Sequence, residues 1–228
     1  MHDCPALLAA LSVNPWFASL PVEVRAHMVG QAEPVRLRRG EMLFRQGDAA
    51  SGLYALVAGT LKMSTLREDG KEAILAVIEA GVWFGEISLI DDQPRTHDAT
   101  AVGKVEALLL PRSVFDTLMQ RADFAGAIAA LLAARIRLLY GIVEDATLRS
   151  TRARVARRLL LLARGDAALS PGPRARVPVS QEGLAMMLGM TRQTLSTQLR
   201  LLADEGMIEL GYRCIEVVSV ERLRHLIG

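Results

Sequence analysis

The amino-acid sequence predicts an α+β protein in three successive parts: an N-terminal β-roll of the double-stranded β-helix or jelly-roll type, a long α-helix and a C-terminal winged helix-turn-helix. Short apolar runs alternate with turn residues from position 34 to position 110, which is typical of barrels and rolls. Apolar residues then recur at helical spacing over residues 122–148, and two short helical patterns meet at Gly189. We therefore place the domains at residues 1–121, 122–150 and 151–228.

The composition is that of a folded globular protein. Of 228 residues, 51% are hydrophobic and 23% are charged, which allows one large or two modest domains with buried cores. No apolar run reaches the length that spans a bilayer, and no basic region precedes an apolar core at the N-terminus. We therefore expect no membrane partner, no signal peptide and a cytoplasmic location. Cys4 and Cys214 lie far apart in sequence and make neither a disulfide framework nor a metal cluster.

The net charge of +2 hides an uneven distribution along the chain. Residues 149–228 hold 13 Arg against 7 Asp or Glu, a net charge of +6, and the remainder of the chain is therefore net −4. A basic C-terminal third beside an acidic remainder indicates that this end binds a polyanion.

The first part begins with a helical region, residues 5–30, that breaks at Asn14-Pro15. Turn residues such as Gly40, Gly59 and Gly81 then separate short apolar runs. Strands are predicted within this region at residues 53–57, 61–63, 74–78 and 105–110.

Two helices are predicted after the roll, at Arg112–Leu118 and Ala122–Leu148. Six positions of the longer one lie close to a heptad seam: Ile128, Leu132, Arg135, Leu139, Ile142 and Ala146. Such a seam packs either against the chain's own roll or against a second subunit.

The last part begins at a predicted hinge, residues 149–151, followed by a helix over residues 152–164 and a loop rich in Gly and Pro over residues 165–176. Beyond the two short helices, residues 206–210 and 214–218 predict a small β-wing about Gly211-Tyr212. Residues 220–227 predict a closing helix.

The two short helices lie between Ser180 and Asp204. Ser180 and Thr191 are N-cap residues, and Gly189 provides the positive φ of a sharp turn. Four leucines are predicted to face inward: Leu195, Leu199, Leu201 and Leu202. The capping and outward-facing residues that we expect at DNA are Ser180, Gln181, Thr191, Arg192, Gln193, Thr194, Ser196, Thr197 and Arg200.

A helix-turn-helix inserts such a short polar face into the major groove. The alternative is a solvated αα-hairpin without a ligand. The spacing of Gln181, Ala185, Gly189 and Leu195 favours DNA binding, because it combines a close helix approach and a sharp turn with the polar opening of the second helix.

The chain resembles a known family in two places. The pattern Gly40-Glu41-x-Leu43-Phe44-x-Gln46-Gly47-Asp48, followed by Leu53-Tyr54-x-Leu56-Val57-x-Gly59, is similar to the cyclic-nucleotide-binding β-roll. Together with the helix-turn-helix, it identifies the protein as resembling the Crp/Fnr family of transcription regulators, from about residue 14 onwards. The resemblance implies a homodimer paired through the long helix, a near-palindromic duplex operator and RNA polymerase as a further partner.

Residues 83–88 and 94–96 resemble the phosphate-binding cassette of that family. Gly85 allows backbone amides to approach an anion, Arg95 can hold a phosphate through two hydrogen bonds, and Glu86 can accept from a ribose 2′-hydroxyl. The expected effector-binding residues are Phe84, Gly85, Glu86, Ile87, Ser88, Arg95, Thr96, Arg135, Leu139 and Tyr140. The alternative is an internal ion pair between Glu86 and Arg95 in an empty roll.

The base end of this site departs from the family pattern. Leu139 and Tyr140 occupy the positions where a cAMP-binding member has hydroxyl residues that contact adenine, whereas Arg135 matches a pocket-facing Arg. Leu139 makes no hydrogen bond to a purine, but Tyr140 can bond to the base or stack on it. The effector is therefore cAMP recognised differently, another cyclic nucleotide, or none.

Other sensing chemistries of the family find less support. An iron–sulfur cluster needs several clustered cysteines, and only Cys4 lies near the N-terminus. His97 and His27 are the candidate axial ligands for haem, which makes a haem or gas sensor an unfavoured alternative. No covalent cofactor, metal site or catalytic constellation is expected. An effector-independent regulator with a vestigial roll remains open, whereas the winged helix leaves no room for the effector domain of a nucleotide-regulated enzyme.

Overall fold

The computed structural model describes residues 4–66, 72–164, 176–177, 179–211 and 214–227. The chain forms two compact units. The first consists mainly of Met1–Thr65 and Leu75–Arg135, and the second mainly of Ile136–Asp166 and Gly172–Gly228. The α+β fold class is as predicted, with a β-roll, a long helix and a helix-turn-helix in that order.

The first unit begins with three helices: α1 (Cys4–Leu11), α2 (Pro15–Ser19) and α3 (Val22–Gln31). The predicted break at Asn14-Pro15 is confirmed. Asn14 is the N-cap of α2, and its side chain accepts hydrogen bonds from the backbone amides of Trp16 and Phe17.

The roll consists of two four-stranded antiparallel sheets. Its strands are β1 (Glu33–Leu37), β2 (Met42–Phe44), β3 (Gly52–Ala58), β4 (Thr60–Leu66), β5 (Glu72–Glu79), β6 (Trp83–Phe84), β7 (Asp98–Ala101) and β8 (Val105–Pro111), with the short helix α4 (Ile87–Ile90) after β6. The strand orders are β1-β8-β3-β6 and β2-β7-β4-β5. Leu53 pairs with Leu110, and both are fully buried. The sheets thus enclose an apolar core and carry the β6–α4 corner at one edge.

The helices α5 (Arg112–Leu118) and α6 (Ala122–Leu148) have the predicted bounds. The first half of α6 packs on the roll through Phe124, Ile128 and Leu131, which are all buried. Of the two alternatives for the heptad seam, Ile128 therefore follows the first, because its side chain belongs to the core of its own roll.

By length and composition alone, α6 is apolar enough to cross a membrane. The expectation concerned an apolar run without charged residues, which is a stricter criterion. Arg135 and Arg137 lie within this helix, so its apolar residues are interrupted in sequence. The helix nevertheless runs through both residues without a break.

The second unit contains helices α7 (Thr151–Ala163), α8 (Gln181–Leu188), α9 (Arg192–Asp204) and α10 (Val220–His225), with strands β9 (Arg176–Val177), β10 (Ile208–Gly211) and β11 (Cys214–Val217). The three strands form one sheet in the order β10-β11-β9. The wing strands are as predicted, whereas β9 was not predicted as a strand. The predicted loop at residues 165–175 and Tyr212 of the predicted turn lie outside the described residues.

Candidate effector and DNA sites

The corner between β6 and α4 brings together the first group of predicted effector residues. Gly85 follows β6 with a φ of +96°, a conformation that L side chains rarely adopt. A Cβ atom at this position would lie 2.9 Å from a terminal nitrogen of Arg95. Glycine is therefore required both by the turn and by the close approach of the guanidinium.

Glu86 is fully buried at the start of α4, and its carboxylate is paired with Arg135 of α6. Arg135 Nη1 donates to Glu86 Oε1, and its Nη2 donates to the carbonyl oxygen of Trp83 at 2.7 Å. Among the described residues, no group hydrogen-bonds to the second carboxylate oxygen, Oε2, which is also buried. The alternative of an ion pair between Glu86 and Arg95 is thus replaced by a pair with Arg135.

Arg95 is 3% exposed and is held by backbone carbonyls. Its Nη1 donates to Gly85 O at 2.6 Å and its Nη2 donates to Gly52 O at 2.8 Å. The guanidinium carbon lies 4.5 Å from the ring centroid of Phe44 and 5.6 Å from that of Tyr54, within the range of cation–π attraction. Because a guanidinium has five N–H groups, these two hydrogen bonds leave three donors for other acceptors.

Burial also affects the ionisation of this cluster. Loss of solvent lowers the pKa of Arg95, an effect opposed by Tyr54 and Glu86, and the side chain remains cationic because its ordinary value is so high. Burial and then the nearby Arg95 charge lower the pKa of His97. Burial and the neighbouring cation thus both disfavour protonation of the His97 ring.

The remaining predicted residues of this cassette have separate structural contacts. Phe84 is buried and stacks with Tyr54, while Ile87 is exposed. The hydroxyl of Ser88 donates to the carbonyl of Pro94 at 3.3 Å, and the hydroxyl of Thr96 lies 2.7 Å from Nδ1 of His97.

The two residues predicted at the base end belong to the second unit. Leu139 and Tyr140 are 59% and 71% exposed on α6. They lie about one turn of the helix after Arg135.

Sequence reasoning did not assign site roles to Phe44, Tyr54 and Gly52, and it considered His97 only as a haem ligand. All four contact Arg95 or its aromatic neighbours. Phe44 and Tyr54 were noticed only as parts of a family pattern. The sequence places an aromatic residue in each of three strands, Phe44 in β2, Tyr54 in β3 and Phe84 in β6, and this pattern could have indicated an aromatic cluster. The contacts themselves join residues that are up to 53 positions apart.

The helix-turn-helix has the local geometry expected from its capping residues. Ser180 caps α8 by accepting from the amide of Gly183 at 3.0 Å, and Thr191 caps α9 by accepting from the amide of Thr194 at 3.1 Å. Gly189 ends α8 in the left-handed region with a φ of +62°. The turn between the two helices is therefore encoded locally.

The first turns of α9 present an exposed polar face. Leu195, Leu199 and Leu202 are fully buried, but Leu201 is 41% exposed, so its assignment to the inner face is wrong. At 100° per residue, Leu201 lies beyond the edge of the stripe that the other three define. The exposed residues of the predicted DNA set are Thr191, Arg192, Gln193, Thr194, Thr197 and Arg200, while Ser180, Gln181 and Ser196 are partly buried.

Two arginines of α7 brace this motif. Arg154 donates to the carbonyl of Leu188 at 2.7 Å, at the end of α8, and Arg152 is paired with Glu205 beyond the end of α9 at 2.5 Å. The arginines satisfy or neutralise groups at helix C-termini, where positive charge is favourable. These two contacts thus connect α7 to the C-terminal ends of both helices of the helix-turn-helix.

The part of the chain that the structure describes contains no cluster of three or more His, Cys, Asp or Glu side chains arranged to hold a metal ion. His97, one of the two candidate haem ligands, is in contact with Thr96 and Phe44.

Comparison with known proteins gives matches over both units. The family model described as "Cyclic nucleotide-binding domain" matches residues 34–122, and the one described as "Crp-like helix-turn-helix domain" matches residues 153–226. A cyclic AMP receptor protein of Thermus thermophilus is 34% identical over 189 residues, which cover 82% of this chain and 85% of that protein.

Two further likenesses extend over most of the chain. A CRP-like cAMP-activated global transcriptional regulator of Mycobacterium tuberculosis is 29% identical over 200 residues, covering 87% of this chain and 89% of that protein. The solved structure of FixK2 from Bradyrhizobium japonicum aligns with a TM-score of 0.75 at 23% identity, covering 86% of this chain and 98% of that one. At that identity, the second likeness supports the fold alone.

Proposed function

Because this chain belongs to the Crp/Fnr family of transcription regulators and is not an enzyme, we propose that it is a homodimer whose affinity for DNA changes when a cyclic nucleotide binds in the β-roll. The proposed parts are a sensor domain at residues 1–121, a dimerisation helix and hinge at residues 122–150, and a DNA-binding domain at residues 151–228. The protein acts in the cytoplasm, on duplex DNA and with RNA polymerase.

The observation that carries the effector proposal is a pair of buried polar atoms without partners. Within the described residues, Glu86 Oε2 and Arg95 Nε are buried and make no hydrogen bond. Leaving such groups unpaired is costly, and a ligand that supplies a hydroxyl donor and an anionic acceptor removes both costs. A cyclic nucleotide carries a ribose 2′-hydroxyl and a phosphate, so it has the required chemistry, and cAMP is the first choice.

A specific observation favours the second candidate, a regulator with a vestigial roll. Both terminal nitrogens of Arg95 already donate to protein carbonyls, Gly85 O and Gly52 O. An anion must therefore use the remaining donors or displace these carbonyls. Haem is disfavoured because His97 already contacts Thr96 and lies against Phe44.

The proposed dimer rests on the exposed second half of α6. Ile136, Leu139, Tyr140 and Val143 are 50%, 59%, 71% and 59% exposed, and their spacing places them on one face of the helix. An exposed apolar stripe of this kind marks an interaction surface. Pairing with the same helix of a second copy covers the stripe by a two-fold contact, which accounts for the apolar character of α6 without a membrane.

The proposed DNA contacts lie at the start of α9. Arg192 is suited to bidentate contact with guanine O6 and N7, and Gln193 is suited to adenine N6 and N7. Thr197 cannot make a second contact of that kind, and its hydroxyl donates to the carbonyl of Gln193 at 3.1 Å, so we propose one Arg-read G·C pair per half-site. Two such helices related by a dimer axis read half-sites about one helical turn apart, which requires a near-palindromic operator.

The deciding experiment is a calorimetric titration of the full-length protein with cAMP and with cGMP, repeated with Arg95→Ala. Loss of charge-assisted hydrogen bonds worth roughly 1.5–3 kcal/mol should weaken cyclic-nucleotide binding by about one to two orders of magnitude. A selection from random duplexes, with and without the nucleotide, then measures the effect on DNA affinity. No heat of binding with either nucleotide, together with nucleotide-independent DNA binding, would establish the vestigial roll instead.

A further inference from the structure

A second surface feature of the DNA-binding unit is a cleft between α7 and α10. Its volume is about 490 Å³. The residues that line it are Arg157, Leu160, Leu161, Arg164, Arg224, His225 and Ile227. The α7 members recur at intervals of three and four residues, so they form one face of that helix.

The cleft combines a cationic rim with an apolar floor. Arg157, Arg164, Arg224 and His225 supply the polar groups, and the three aliphatic side chains supply the floor. No Asp or Glu is found among the described residues that line it. The surface is therefore electrostatically suited to an anionic partner.

One of the four rim residues has an acidic neighbour. Arg157 Nε lies 2.7 Å from Asp145 Oδ2, and the same carboxylate is shared with Arg149, whose Nε donates to Oδ1 at 2.8 Å. Glu144 Oε1 also lies 3.6 Å from Arg149 Nη2, so two carboxylates face two guanidinium groups in this cluster. The net positive charge of the rim therefore comes from Arg164 and Arg224.

The helix-turn-helix does not use this cleft. Its described lining residues belong to α7 and α10 or, like Arg164 and Ile227, closely follow them, and none belongs to α8 or α9, which carry the proposed DNA contacts. A phosphate backbone would match the rim but would leave Leu160, Leu161 and Ile227 without an apolar partner. The combination instead fits a peptide with both carboxylates and aliphatic side chains, which buries its apolar face in a groove.

We propose that the α7–α10 cleft is a docking site for an acidic amphipathic segment of a partner protein. Aliphatic side chains of the segment contact the floor, while its Glu or Asp residues pair with the rim arginines. Charge complementarity speeds the encounter and fixes the orientation, and the apolar contact supplies most of the binding free energy. The segment binds while α9 remains free for DNA.

The test uses the full-length protein and a short fluorescein-labelled helical peptide with Leu at positions i, i+3, i+4 and i+7 and Glu elsewhere. Fluorescence anisotropy should give saturable binding. Arg224→Glu and Arg164→Glu should each weaken binding by about tenfold or more, because each places like charges opposite one another. The matched control is Arg222→Glu, an identical charge change in the same last turn of α10 but outside the lining.

Two altered peptides separate the contributions of charge and apolar contact. Replacing Glu by Gln, or Leu by Ser, should in each case reduce binding to that of the Arg224→Glu variant. Thermal melting should remain unchanged in all three protein variants, and their DNA affinities should equal one another because each variant makes the same charge change. The proposal is overturned if peptide binding does not saturate, or if Arg222→Glu weakens peptide binding as much as Arg224→Glu. It is also overturned if nonspecific duplex DNA displaces the peptide from the wild type but not from the Arg192→Ala variant, because the peptide would then occupy the DNA-binding face of α9.

Discussion

Arg135 and Glu86 form an ion pair that joins the long helix α6 to the corner of the roll. The Glu86 side chain is fully buried and that of Arg135 is 20% exposed. Arg135 also donates to the carbonyl of Trp83 at 2.7 Å, so the guanidinium holds both the strand before the corner and the helix after it. Any ligand that contacts Glu86 therefore acts on a residue already coupled to α6.

This pair makes Arg135→Met strongly destabilising. Loss of the guanidinium leaves a buried carboxylate without its counter-charge, which costs roughly 3–5 kcal/mol. Adding Glu86→Gln should recover a large part of that loss, because the remaining side chain is neutral. Urea unfolding of the two single variants and the double variant measures the coupling energy, and Arg137→Met, at an exposed position on the same helix, is the control. Additive effects would show that the pair contributes nothing specific.

Glu86→Ala should change sugar discrimination. If the free Glu86 Oε2 accepts from a ribose 2′-hydroxyl, its loss weakens binding of cAMP by about 1.5–3 kcal/mol and binding of 2′-deoxy-cAMP much less. Isothermal titration of both nucleotides gives the comparison. Equal losses for the two ligands would show that Glu86 acts only through Arg135.

Leu139→Asp should convert the dimer to monomers. It places a charge in the centre of the exposed stripe on α6, where pairing with a second copy removes water from the side chain. Sedimentation equilibrium measures the change. Val102→Asp, at an apolar residue of the roll that is 49% exposed, is the matched control and should leave the oligomeric state unaltered. A wild-type protein that sediments as a monomer would contradict the proposed seam.

Gln193→Glu should alter one base pair of each half-site. A carboxylate accepts from the cytosine amino group, whereas the amide pairs with adenine, and each such contact carries roughly 1–3 kcal/mol of discrimination. Selection from random duplexes should therefore move the preference from adenine towards cytosine at that position. Gln198→Glu, a partly buried neighbour outside the predicted DNA set, should leave the selected motif unchanged.

His97 should make the folded state less stable as the pH falls. Burial and Arg95 lower the pKa of His97 in the folded protein, so the unfolded chain binds the proton more readily. The free energy of unfolding therefore decreases as the pH drops through the ordinary histidine pKa of ~6.5 towards the lower folded value. His97→Gln should flatten this part of the pH profile in denaturant titrations, and an unchanged profile in that variant would contradict the prediction.

Local sequence signals account for the elements that present the two sites. Ser180, Gly189 and Thr191 predict the caps and the turn of the helix-turn-helix because each acts on backbone groups within three or four residues of itself. The bounds of α5 and α6 follow in the same way from short-range periodicity. Strands in the roll are recognisable because turn residues separate the apolar runs.

The tertiary structure determines which groups pair with the buried charged side chains. The sequence marked Glu86, Arg95 and Arg135 as site residues but left the pairing of Glu86 with Arg95 open, and the fold instead brings Arg135, 49 positions away, to the carboxylate. The fold also places the Arg95 guanidinium against two carbonyls and two aromatic rings. On α6, it buries Ile128 in the roll and leaves Leu139 exposed. Periodicity identifies an apolar face or a charged side chain, but the group that it meets depends on how distant segments pack, and that information is not present in any local stretch of the chain.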